Sequence, residues 1–276
     1  MSKEIWLLTQ LGRYKYLSAS QLQRLWWPES KKSLYSLLSK LKELSFIDRH
    51  TYKFDPKLWS VEDIYFLRTK GVRYLDDRWH SIKDIKMPSS KTVFYDDYVH
   101  RKKCIDCQIS LCQYIDALNI DSVMYLHYFE TIVSAQNWRR QTATKISYDW
   151  GSLKSDAVCL VSDNNSSEVF LLIEIHNGNR VQRMVDTIKN YSHILSQWSA
   201  SVQFNSSRNP RIIIVFEHEQ TLRSVLEHVS MDRYYSYLLD YYWLATYDDL
   251  LVAPWDCRIN LAGQKKSLDS LFQNKN

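Results

Sequence analysis

Apolar positions along this chain change period several times, and each change marks an element. In "SASQLQRLWWPES", Leu22, Leu25 and Trp26 recur at helical spacing behind Ser18 or Ser20, either of which suits a helix cap, and Pro28 ends the run. In "SKKSLYSLLSKLKELSFIDRH", Leu34, Leu37, Leu38, Leu41 and Leu44 form one stripe, with Lys31, Lys32, Lys40 and Lys42 off it. "FIDRHTYKF" alternates like a strand, and "EDIYFLRTKGVRYLDD" reads as a second strand passing through Gly71 into a helix. Helix, turn, basic helix and two-stranded wing is the order of a winged helix. Its outward lysines suit phosphates in a groove, with Arg49, Lys53 and Arg68 of the wing on the flanking backbone. A winged helix that only binds protein has the same pattern.

A polar stretch, "SIKDIKMPSSKTVFYDD", predicts a linker over residues 81–97. "YVHRKKCIDCQISLCQYIDAL" then reads as an amphipathic helix through Val99, Ile105, Ile109, Leu111 and Ile115, and "DSVMYLHY" as a strand. The apolar runs "DAVCLVS" and "SEVFLLIEI", joined by "DNNSS", predict an antiparallel hairpin. A helix follows, with Val181, Met184, Val185, Ile188 and Tyr191 on one face, then the strand "PRIIIVF", the helix "EQTLRSVLEHV" and a last strand in "YYWLATYDDLL". That order predicts an α/β (α+β) core built on a mixed sheet flanked by helices.

The hairpin carries two acids in unusual places. Asp156 opens the first run and Glu174 closes the second. Each lies nine residues from a turn centre near Asn165, so pairing sets them nearly opposite. Bare carboxylates that close repel, and removing each from water costs several kcal/mol. A shared proton resolves this, and so does a divalent cation, Mg²⁺ or Mn²⁺, held by Asp156 and Glu174. The plainer account is a turn aspartate and a solvated strand-end glutamate. Arg180, Arg183 and Lys189 on the following helix are placed to reach a phosphate held there.

Composition adjusts the picture modestly. The 276 residues include 10 Trp and 19 Tyr but only 5 Gly and 5 Pro, so the chain should be dense in helix and strand. Net charge is +5, and residues 1–60 hold eleven basic against five acidic side chains, which concentrates the attraction to polyanions in the first segment. Five scattered cysteines suit reduced thiols, and no apolar run reaches the length of a membrane span, so a cytoplasmic protein is expected. His100, Cys104 and Cys107 invite zinc, but no second CxxC or His pair completes a site. No Gly-rich phosphate loop or nucleophile elbow is present.

An acid opening one strand, then Glu-x-(acid or Lys) ending the next before a helix, resembles the PD-(D/E)XK nuclease superfamily. Added to the winged helix, "YVHRKK", "LKSDA", "LLIEIHNGN" and "IKNYSHIL" resemble the replication-relaxation family, and within it the MobC-type relaxases of plasmid mobilization, over about residues 10–255. The winged helix spans residues 1–80, the resemblance implies residues 98–260 as a restriction-endonuclease-like domain, and "GQKKSLDSLFQNKN" makes residues 261–276 a polar tail. It implies metal-dependent nicking of double-stranded DNA at a plasmid transfer origin, alongside a relaxosome partner protein. Asp156 and Glu174 match the metal-binding acids, and His100 matches the early histidine. His176 stands where a lysine or acid is usual, Lys189 on the next helix is placed to supply the lysine, and Ser155 replaces the usual proline. A tyrosine nucleophile from Tyr234, Tyr235, Tyr237, Tyr241 or Tyr242 is a second route to nicking, though its metal site would need clustered histidines. The alternatives are a non-catalytic relaxosome accessory protein with a degenerate nuclease fold, and a transcriptional regulator with a ligand domain.

Overall fold

The computed structural model describes residues 2–25, 30–51, 62–76, 98–118, 120, 122–133, 140–162, 168–235, 237–252, 255 and 258–268. Lys53, the helix stop at Pro28, the 81–97 linker, the turn at 163–167 and residues 269–276 lie outside them. Contacts divide the chain into two compact units, Met1–Ile105 and Asp106–Asn276.

The first unit runs α1 (Lys3–Tyr14), β1 (Leu17–Ser18), α2 (Ala19–Arg24), α3 (Lys31–Glu43), β2 (Ile47–His50), β3 (Ile64–Leu67) and α4 (Thr69–Asp76). The three strands form an antiparallel sheet in the order β1-β3-β2. A short first strand between helices, closed by a two-stranded wing, is a winged-helix-like arrangement. Ser18 caps α2 in a capping box with Gln21, as its sequence position predicts. Leu34, Leu38 and Leu41 bury the inner face of α3. Helix α1 was not expected; its Leu7, Leu8 and Leu11 are fully buried. Gly71 in α4 permits close approach to the chain at Phe46, where an added Cβ would lie 2.2 Å from the Phe46 carbonyl oxygen.

Helix α5 (Tyr98–Ala117) contains the division between units. Its start is tied to the first unit by Gln21 Nε2 donating to the Lys102 carbonyl (3.2 Å) and Arg101 donating to the Tyr16 hydroxyl (2.7 Å). The amphipathic pattern expected for it does not hold. Residues 103 to 111 are buried all round, and Asp106, Gln108 and Ser110 bond to Tyr247, His127 and the Leu250 carbonyl. A polar residue on a helix reads as surface in sequence, yet it can be buried where a partner satisfies it.

The second unit continues with β4 (Ser122–His127), the pair β5 (Thr131–Val133) and β6 (Arg140–Thr142), and the hairpin β7 (Lys145–Tyr148) and β8 (Gly151–Lys154). Then come β9 (Ala157–Ser162), β10 (Glu168–His176), α6 (Val181–Ser196), α7 (Ser199–Phe204), β11 (Arg211–Phe216), α8 (Glu219–Ser230), β12 (Tyr242–Thr246), α9 (Tyr247–Val252), β13 (Arg258–Asn260) and β14 (Lys265–Lys266). Seven strands make one mixed sheet, β14-β13-β12-β11-β10-β9-β4, in which β10, β11 and β12 are parallel. The expected last strand, β12, is thus followed by two more.

Alternation sorts the two faces of the sheet. Phe170, Leu172, Ile212, Ile214, Tyr242 and Leu244 form a core with Met184, Ile188 and Tyr191 of α6 and Val225 of α8. On the opposite face Cys159 lies near Cys107 and Cys112 of α5, and burial pushes its thiol well above the usual range, as suits a packing residue.

Candidate functional site

The β9–β10 ladder pairs Ala157 with Ile173. One step beyond, the same register sets Asp156 across from Glu174, as counting from the turn predicts. There the two strands part. Asp156 leaves the ladder in a bend, and Ser155 Oγ sits 2.9 Å from the carbonyl oxygens of both Ala157 and Ile173, clamping the bend to β10.

Asp156 is buried, 7% exposed, and its Oδ2 accepts from the Ile175 amide at 2.7 Å. Glu174 is partly buried and accepts from the Tyr191 hydroxyl at 2.9 Å. Each carboxylate so gives one oxygen to a neutral donor. Burial pushes the Glu174 carboxyl well above its ordinary value, and Asp156 pushes it further; the Tyr191 bond, Arg183 and Lys154 act in the opposite sense. Burial and Glu174 likewise raise the Tyr191 phenol. Two carboxylates crowded together in this way suit a hard divalent cation. Strand geometry turns the carbonyl of a residue to the same edge as its amide, so the Ile175 carbonyl belongs to the β9 edge of β10.

His176 shares a strand face with Glu174. It is 4% exposed, and its Nε2 is buried with no hydrogen-bond partner among the described residues. Burial and then Arg183 lower its pKa, while the Arg180 main chain and Glu217 oppose them. The ring is therefore neutral near pH 7 and offers a lone pair, not a positive charge. Beyond it, the Gly178 amide donates to Glu217 Oε2 at 2.8 Å and fixes the turn into α6.

The predicted cations are placed unequally. Arg180, Arg183 and Lys189 are all exposed. Of these it is Arg183 whose charge acts on Glu174 and His176. Lys189 sits one position beyond the buried Ile188. His100 is half-buried in the first turn of α5, within the first unit. Two participants escaped sequence reasoning. Lys154 ends β8, a strand that was not predicted, and its ammonium lies 4.8 Å from the Tyr128 ring centre. Tyr191 read as one more apolar-face residue. Its hydroxyl was the available signal, because a buried phenol needs a partner.

On the first unit, Lys31, Lys32, Lys40 and Lys42 are exposed on α3, as expected. Lys40 pairs with Glu4 at 3.1 Å, Arg49 with Asp63 at 3.1 Å, and Arg68 with Asp48 at 3.8 Å. Lys31, Lys32 and Lys42 have no acidic partner among the described residues. They leave the ends of α3 with the stronger uncompensated charge, while the wing arginines are partly neutralised.

No protein-family model matches the chain, and no curated protein matches it. Among solved structures it is similar to Bacillus subtilis PadR in complex with operator DNA, with 20% identity over 42% of this chain and 69% of that one, at a TM-score of 0.23. A score that low carries no argument about fold or function. No helix among the described residues is long and apolar enough to cross a membrane.

Proposed function

We propose that the chain binds double-stranded DNA through its first unit and nicks it, with a divalent cation, at the Asp156–Glu174 pair of the second. The sequence resemblance narrows this to a relaxase acting at a plasmid transfer origin within a relaxosome. The observation that carries the reading is the position of the two acids, across from each other where β9 and β10 part. A Glu174 carboxyl pushed up by burial, and further by the neighbouring Asp156, favours a dication in place of its proton.

Asp156 and Glu174 would hold Mg²⁺ or Mn²⁺, with the Ile175 carbonyl beside them. When bound, such an ion polarises a phosphodiester and lowers the pKa of a bound water. The chain's own residues do the rest. The Ile175 amide fixes one Asp156 oxygen and Tyr191 fixes one of Glu174, so both carboxylates are pre-set. Neutral His176 accepts a proton at Nε2 or orients water through it. Arg183, with Lys154 and Lys189, supplies positive charge for the phosphate. The lysines of α3 hold the duplex by its backbone.

A second reading, a non-catalytic accessory protein, is favoured by neutral His176 in place of a lysine. Supercoiled plasmid bearing the cognate origin, incubated with Mg²⁺ or Mn²⁺, separates the two. Nicking yields open circles that disappear with Asp156→Ala and Glu174→Ala. The accessory reading expects a band shift, no open circles, and no effect of either substitution.

A further inference from the structure

A cavity of 250 Å³ opens at the other end of the sheet from the acid pair. Its lining includes Phe170 near the start of β10, with Glu168, Trp198, Arg208, Arg211 and Tyr241. Glu168 and Glu174 stand six positions apart on β10, about 20 Å of extended chain. None of the wall residues takes part in the site described above.

The cavity is built from groups held in place before any ligand arrives. Trp198 joins α6 to α7 and is 50% exposed. Its backbone is left-handed, at φ 56° and ψ 20°, a conformation that a bulky residue adopts only where its surroundings enforce it. Here the enforcement is visible: its amide donates to the Leu195 carbonyl at 3.3 Å, and its carbonyl accepts from Val202 at 3.0 Å. The Arg211 guanidinium sits 4.6 Å from the Tyr241 ring centre. Glu168 is fixed by the Ser206 hydroxyl and the Ser207 amide. Next to the cavity, Trp150 stands 80% exposed at the tip of the β7–β8 hairpin. That tip is anchored by the Asp149 amide donating to Gln197 Oε1 at 3.1 Å, one residue before Trp198.

A half-exposed indole held in a strained backbone, beside a guanidinium already stacked on a phenol, offers a flat apolar face next to fixed positive charge. Two arginines against one glutamate favour an anion. The volume falls below the roughly 300–1,000 Å³ of pockets that take a whole drug-sized ligand, and so suits a single ring system with its charged group outside. An aromatic base with a phosphate attached has that form. We propose that this cavity captures one unpaired base of a single-stranded DNA segment, stacked on Trp198 with its phosphate on Arg208 and Arg211. Glu168 is placed to accept from the amino group of the base. The inference rests on the nucleic-acid reading above, but on different residues.

Fluorescence anisotropy with a labelled eight-nucleotide single strand, and with the same sequence as duplex, tests it. Trp198→Ala and Arg211→Gln should each weaken single-strand binding about fivefold or more, while duplex binding stays within about twofold. Lys31→Gln with Lys32→Gln should do the reverse. Matching thermal unfolding curves show that the variants are folded. Single-strand binding equal to that of the parent in both cavity variants, or absent in the parent, overturns the cavity assignment and leaves the duplex reading standing. Duplex binding that ignores the α3 lysines sinks the duplex reading instead, leaving the cavity assignment to its own variants. A free deoxynucleoside monophosphate that competes as strongly as the eight-mer overturns the strand assignment in favour of a nucleotide site.

Discussion

The hydroxyl of Tyr191 donates to the carboxylate of Glu174 over 2.9 Å, joining the inner face of α6 to the strand end that carries the acid pair. Tyr191 is fully buried, so its phenol has no water to turn to. Removing the hydroxyl in Tyr191→Phe should destabilise the protein by about 1 kcal/mol, a typical buried hydrogen bond. Urea denaturation measures this. The same substitution should weaken divalent-ion binding, because Glu174 loses the group that fixes one of its oxygens.

The acid pair also sets a pH dependence. The folded Glu174 carboxyl titrates well above its ordinary 4.5. The folded state therefore holds a proton that the unfolded state has released. Its contribution to stability is full below about pH 4.5 and is lost as pH rises from there through the folded pKa. Metal-free protein should lose melting temperature across that interval, and Glu174→Gln should flatten the loss. Mg²⁺ or Mn²⁺ should restore more melting temperature at the top of the interval than at the bottom, since a dication competes with the proton. Differential scanning calorimetry across pH, with and without metal, tests all three expectations.

On the first unit the unpaired lysines should dominate duplex binding. Each of Lys31→Gln, Lys32→Gln and Lys42→Gln should flatten the slope of log K against log salt by about 0.9, the value for one phosphate contact. Lys40→Gln should change it less, because Glu4 already compensates that ammonium at 3.1 Å. Anisotropy titrations between low and moderate salt read these slopes.

Gly71→Ala probes the winged-helix packing alone. The new methyl would meet the Phe46 carbonyl oxygen at 2.2 Å, and backbone cannot move aside as a flexible side chain can. A loss of about 2 kcal/mol or more is expected, at the upper part of the range for overpacking. Thermal unfolding monitored by circular dichroism measures it.

Much of this arrangement could be read from residue order. The hairpin register follows from symmetry about its turn, which sets Asp156 across from Glu174. Helix α6 announced itself through the spacing of Val181, Met184, Ile188 and Tyr191. Other parts were silent for physical reasons. Strand β8 is the sequence GSLK, whose pairing with β7 comes from the hairpin and not from β-propensity. Without β8, Lys154 could not be assigned to the site. Helix α5 looked two-faced because Asp106 and Gln108 are polar, and only their partners Tyr247 and His127, distant in sequence, show that both faces are buried. Salt bridges such as Arg49–Asp63 and Arg68–Asp48, which temper the wing's charge, also form only once the strands pair.

Titration of Mn²⁺ into the 276-residue protein, followed by calorimetry and electron paramagnetic resonance, reads the acid pair itself. One ion per chain is expected, with affinity reduced tenfold or more in Asp156→Asn and in Glu174→Gln, and circular dichroism unchanged. Mn²⁺ that binds both variants as tightly as the parent, or fails to bind the parent at all, would contradict it.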